Sequence, residues 1–110
     1  MNNTDIVRAC FDSYLAADRD RAEELIAEDF VFTSPQDDHI GRAAYFERCF
    51  PTAGRLKSQE LLQVVAGQGD DVFVLYEYVL LTGERHRNTE VITVRDCRIR
   101  EVQVFFGGRY

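Results

Sequence analysis

A few side chains in this sequence have the chemistry to move protons. Tyr14 lies on the apolar stripe of an N-terminal helical pattern. Its hydroxyl is either satisfied within the core or aimed into a pocket. Glu90 lies in a strand-like segment, one face of which reads Asn88, Glu90, Ile92 and Val94. If that face is internal, Glu90 is a buried carboxyl whose pKa rises by desolvation, the kind of perturbed group that marks functional sites. The alternative is an ion pair with Arg87, Arg100 or another arginine. Asp37, Asp38 and His39 follow Ser34 within five residues. A histidine beside carboxylates can act as an acid–base pair. The same run also reads as a solvated polar loop, because Asp is favoured in turns.

Other chemistries find little to work with. Consecutive side chains in Asp37-Asp38-His39 diverge, and His86 lies across an expected turn, so no metal site is expected. Ser34, His39 and Asp37 are too close in sequence to converge as a catalytic triad. No G-x-S-x-G, Gly-rich phosphate loop or H-E-x-x-H occurs. Cys10, Cys49 and Cys97 lack C-x-x-C spacing. They suggest reduced thiols in a cytoplasm rather than disulfides or zinc.

The elements that must position these residues can be read from periodicity. Ile6, Val7, Cys10, Phe11, Tyr14 and Leu15 form one helical stripe, with Asn3 or Thr4 able to cap it. Asp20 can cap a second short helix running through Leu25 and Ile26, with Glu23 and Glu24 near its positive end. Phe30 to Thr33 is a short strand that stops at Ser34-Pro35. Gln36 to Ile40 reads as a polar loop. A third helix fits Arg42 to Phe50 and ends at Pro51. Four strands follow in sequence: Lys57 to Ala66, Val72 to Leu81, Arg87 to Arg95 and Ile99 to Phe106. Short turns between them predict an antiparallel meander. The run Val72 to Leu81 is apolar on both faces except at Glu77, which predicts cover on both sides. Glu77 suits an outer-face salt bridge or a dimer contact. Asp96-Cys97 is a tight turn, and Cys97 there costs roughly 1 kcal/mol if it is left-handed. Helices packed on a curved sheet make an α+β cone.

Composition bounds the function. The 110 residues are expected to form one domain, 1–110, able to bury about two-thirds of its unfolded surface without a staple. Hydrophobic residues make up 45%, and 8 Phe and 5 Tyr supply aromatic bulk in the absence of Trp. A net charge of -6 disfavours a nucleic-acid partner. No apolar run approaches the roughly 20 residues of a membrane span, and no secretory signal is expected.

The order and spacing of several pieces resemble the nuclear transport factor 2-like superfamily. These are Tyr14-Leu15-Ala16-Ala17-Asp18, Ala27-Glu28-Asp29-Phe30-Val31-Phe32, and Gly41 opening a helix. The ending from Thr93 to Val102, closed by Phe105-Phe106-Gly107, is similar to the SnoaL-like polyketide cyclase and ketosteroid isomerase branches. The resemblance covers nearly the whole chain. It implies a cone-shaped α+β barrel, an apolar pocket between sheet and helices, and dimers through the outer sheet face. Fold alone does not fix activity. In the isomerase pattern an oxyanion-donating Tyr falls at Tyr14, and a protonated acid falls at or beside Glu90. The Asp general base is replaced by Ser34 before Pro35. A serine cannot abstract a carbon-bound proton unaided, so steroid isomerisation is not expected.

The resulting expectation is a SnoaL-like domain that binds a small hydrophobic ligand and rearranges it by acid–base chemistry without a cofactor. Tyr14 and Glu90 polarise the ligand, and Asp37, Asp38 or His39 handles the proton. Ser34, Tyr45, Phe46, Tyr76, Tyr78 and Phe105 are the candidate pocket lining, with core packing the alternative for Tyr45, Phe46, Tyr76 and Tyr78. Phe105 and Phe106 point to opposite faces, so one of them meets the pocket or the dimer interface. The alternative is a non-catalytic ligand-binding or dimerisation module. A cavity of several hundred Å³ with convergent polar groups favours the first. A filled cone with Glu90 paired to Arg favours the second.

Overall fold

The computed structural model describes residues 1–110. Helix α1 spans Asn3–Leu15 and α2 spans Arg19–Leu25. Strand β1 (Ile26–Ser34) forms a hairpin with β2 (Asp37–Gly41), and α3 (Arg42–Arg48) leads into a 3-10 segment at Phe50–Arg55. Strands β3 (Leu56–Ala66), β4 (Asp71–Leu80), β5 (Arg85–Arg95) and β6 (Arg98–Arg109) complete the chain. They form the expected antiparallel meander. The six strands make one sheet in the order β2-β1-β6-β5-β4-β3, with only the β1–β6 pair parallel. The helices pack on this mostly antiparallel sheet to give the cone-shaped α+β barrel expected from the sequence.

Local chemistry explains the boundaries. The N-cap of α1 is Asn2, not Asn3 or Thr4: its side chain accepts from Asp5 N at 2.9 Å, and Asp5 returns a bond to Asn2 N at 3.2 Å. Such a capping box satisfies two orphan donors at once. Asp18, not Asp20, caps α2 through Arg21 N at 3.2 Å. Ile26 is already extended, and it opens β1 by pairing with Ile99 on β6. The segment expected to be a polar loop, Gln36 to Ile40, is largely strand β2. An edge strand needs little apolar sequence because one side faces water. The hairpin register slips between Phe32 and Ser34, and His39 takes a left-handed φ of 51°. The third helix stops two residues before Phe50, and Pro51 lies in the first turn of the 3-10 segment that follows.

The core lies between α1 and the inner face of the sheet. Ile6, Val7 and Phe11 meet Val72, Val74 and Tyr76 of β4, Ile92 and Val94 of β5, and Val102 and Val104 of β6. The even-numbered residues of β4 and β5, and of β6 from Val102 to Phe106, share this face because side chains alternate along each strand, while a register shift after Thr93 brings Ile99 inward at the start of β6. Phe11 meets Tyr76 edge to face at 5.0 Å, an arrangement worth about 1 kcal/mol beyond area burial. The odd-numbered face of β4 is not covered as expected. Phe73 is 45% exposed, with Val65 of β3 directly beside it at 51%. Glu77 on this face takes the anticipated salt bridge, with Arg87 at 2.9 Å. No helix is long and apolar enough to cross a membrane.

Candidate functional site

Between the helices and the inner sheet face lies a cavity of about 590 Å³. Each element contributes by its phase. Tyr14 comes from the last turn of α1, steadied edge to face by Phe50 at 6.0 Å. Tyr76 and Tyr78 come from the inward face of β4, Asn88 and Glu90 from that of β5, and Val102, Val104 and Phe106 from that of β6. Phe32 and Ser34 line the β1 side, and Asp37, Tyr45 and Arg48 line the rim nearest α3.

The polar centre of the cavity is a short hydrogen-bonded chain. Gly107 N donates to Asn88 Oδ1 at 3.4 Å, Asn88 Nδ2 donates to Tyr76 Oη at 3.2 Å, and Tyr76 Oη donates to Glu90 Oε2 at 2.5 Å. The sheet register builds this chain. Asn88 lies directly across from Tyr76, and Glu90 is the next inward residue along β5. Gly107 is required at its end, because a Cβ there would sit 2.2 Å from Arg87 O. No arginine reaches Glu90, and no protein group bonds its Oε1. Burial pushes the Glu90 carboxyl up to about 7, while the Tyr76 hydroxyl opposes part of that rise by favouring the anion. Burial likewise raises Tyr76, with the Glu90 charge adding to it.

Tyr14 Oη lies 2.5 Å from Thr52 Oγ1. Burial raises its pKa and keeps the phenol neutral. Ser34 Oγ accepts from Gln36 N at 3.1 Å and Asp37 N at 3.2 Å, so this oxygen closes a turn. Asp37 is 12% exposed at its side chain and pairs with Arg48 at 2.8 Å. Cys49 Sγ donates to Asp37 Oδ2 at 3.7 Å. Burial pushes the Cys10 thiol up to about 12, and burial with the Asp37 charge pushes Cys49 to about 11. Both stay as thiols at neutral pH, poor nucleophiles. Nowhere do three or more His, Cys, Asp or Glu side chains gather as a metal site.

Of the residues singled out from sequence, Tyr14, Ser34, Asp37, Tyr45, Tyr76, Tyr78 and Glu90 come together around the cavity. Four do not. Asp38 and His39 bond each other at 2.5 Å on the surface, with side chains 92% and 68% exposed. The β2 strand sends them to solvent. Phe46 is buried in the core beneath Arg19 and Arg42, whose guanidinium groups lie 5.0 and 5.2 Å from its ring. Phe105 pairs with Thr89 on the outward face and is 53% exposed, and Phe106 lines the cavity in its place. Asn88, Thr52, Gln59 and His86 were not anticipated as site residues. Asn88 shared the strand face already assigned to Glu90, a usable signal. Thr52 lies 38 residues from Tyr14 and gave none.

The SnoaL-like domain family model matches residues 7–102. No curated protein matches the sequence. Among solved structures, a proposed polyketide cyclase from Sinorhizobium meliloti is 24% identical, with a TM-score of 0.80 over 92% of this chain and 94% of that one. A proposed ketosteroid isomerase from Kribbella flavida is 22% identical, with a TM-score of 0.80 over 98% of this chain and 79% of that one. An NTF2-like protein of unknown function from Mesorhizobium loti is 25% identical, with a TM-score of 0.80 over 96% and 91%. At these identities the structures share the fold rather than an activity. With the family model spanning most of its length, the chain belongs to the SnoaL-like domain family, within the NTF2-like fold.

Proposed function

We propose that residues 1–110 act as one unit that binds a small, largely apolar molecule in the cavity and moves a proton on it without a cofactor. The observation that carries this reading is Glu90. One carboxylate oxygen is held by Tyr76, the other is unbonded at the cavity wall, and the group titrates near 7. A base tuned to neutral pH is half-ionised where it works, which is the best compromise for general acid–base catalysis. Glu90 therefore takes the proton-handling role that the sequence had placed on Asp37, Asp38 or His39. Tyr76 is a positioning residue: its hydroxyl fixes the carboxylate and stabilises its charged form. The aromatic walls from Phe32, Tyr45, Tyr78 and Phe106 suit a flat apolar ligand. The proposed ligand is uncharged, in keeping with an acidic protein. Three unpaired cysteines fit a reducing, cytoplasmic setting.

The test uses an enolisable bicyclic ketone, 2-hydroxy-1-tetralone, in D2O. Protein should accelerate exchange of its C2 proton, and Glu90→Gln should remove roughly a hundredfold of that acceleration. The second reading, a non-catalytic binding module with the same cavity, draws on Ser34, whose oxygen is consumed by a turn where an isomerase-like base would sit. Ligand binding without any Glu90-dependent exchange would favour it.

A further inference from the structure

The hydrogen-bond directions around Tyr14 define what it can offer a ligand. Thr52 Oγ1 lies 2.6 Å from Cys49 O. A carbonyl oxygen has no hydrogen to give, so Thr52 must donate its single hydroxyl proton there. The contact between Tyr14 and Thr52 then has only one possible sense, with Tyr14 donating and Thr52 accepting. Tyr14 thus has no proton left for the cavity. Its remaining lone pair receives no hydrogen bond from the protein.

We propose that Thr52 is a specificity-determining residue, which turns Tyr14 into a hydrogen-bond acceptor and so selects ligands that present a hydroxyl to it over ligands that present only a carbonyl. This rests on the ligand-cavity reading above and reverses the oxyanion-donor role that the sequence resemblance implied for Tyr14. A ligand hydroxyl supplies the donor that Tyr14 lacks. A carbonyl in the same place brings two acceptors together and leaves both unsatisfied. Sites built to bond a hydroxyl discriminate strongly against analogues that lack it.

A matched pair, 9-fluorenol and 9-fluorenone, tests this by calorimetric titration. They share a flat apolar skeleton and differ in having a donor or a carbonyl. The wild-type chain should bind the alcohol roughly tenfold more tightly. Thr52→Val keeps the side-chain shape and removes the acceptor, freeing the Tyr14 proton for the cavity. The alcohol-to-ketone ratio should then fall to about one or invert, while Thr52→Ser should retain the wild-type ratio. If Thr52→Val does not fold, Tyr14→Phe serves instead and should abolish the alcohol's advantage. A wild-type preference for the ketone, or a ratio unmoved by Thr52→Val or Tyr14→Phe, overturns this inference alone. Failure of the wild-type chain to bind either probe overturns the cavity reading and this inference with it.

Discussion

Glu90 is costly to bury, and that cost should be measurable without any ligand. The folded state lifts its carboxyl from 4.5 to about 7. Between those values the folded chain holds a proton that the unfolded chain has released. Stability therefore declines as pH rises from about 4.5 to about 7 and levels off above, by at most about 3 kcal/mol from this group. Glu90→Gln removes the titration while its amide oxygen can still accept from Tyr76. Denaturant titrations across this range should show the variant gaining on wild type as pH rises. A constant difference would mean that Glu90 is not desolvated in the fold. The sequence revealed Glu90 because a lone carboxyl interrupted an otherwise inward strand face. It did not reveal Thr52, whose importance lies in a proton direction set by the Cys49 carbonyl. Long-range contacts of that kind leave no local pattern.

At the level of elements, periodicity located the helices and the meander because burial imposes it: period 3.6 on α1 and period 2 on β4 to β6. It failed at β2, where an edge position tolerates polar residues, and that failure misplaced Asp38 and His39. The cost anticipated at Asp96-Cys97 is present in the fold. Arg95 pairs with Arg98, and the two intervening residues have φ of 54° and 62°. Such a turn needs left-handed residues at both central positions, which glycine adopts without a Cβ penalty. Cys97→Gly should therefore stabilise the chain by about 1 kcal/mol, raising Tm by several degrees. A calorimetric scan showing no gain would indicate that the surrounding hairpin compensates the strain. The opposite is expected of Gly107, since any side chain there collides with Arg87 O and pushes β6 from β5 beside Asn88.

Across the whole molecule, the aromatic and aliphatic residues divide between an inner face that surrounds the cavity and an outer face left open. Phe73 sits between Val65 and Val91 in register, and Leu75 lies on the same face in the row of Thr89 and Phe105. Contiguous exposed apolar surface of this kind marks an interaction site, and a second copy of this chain is the proposed occupant. Light scattering should give twice the chain mass at micromolar concentration, and Phe73→Glu should give the monomer. A wild-type monomer would leave the outer face to another partner. The sequence predicted that β4 is covered on both sides, and dimerisation is the proposed source of that second cover.

The proton-handling role of Glu90 is the central claim, and the pH profile of C2 exchange in 2-hydroxy-1-tetralone tests it most directly. The wild-type rate should rise through about pH 7 as the buried carboxylate forms, and Glu90→Gln should be slow and without that inflection. A wild-type profile superimposable on that of Glu90→Gln would contradict the claim.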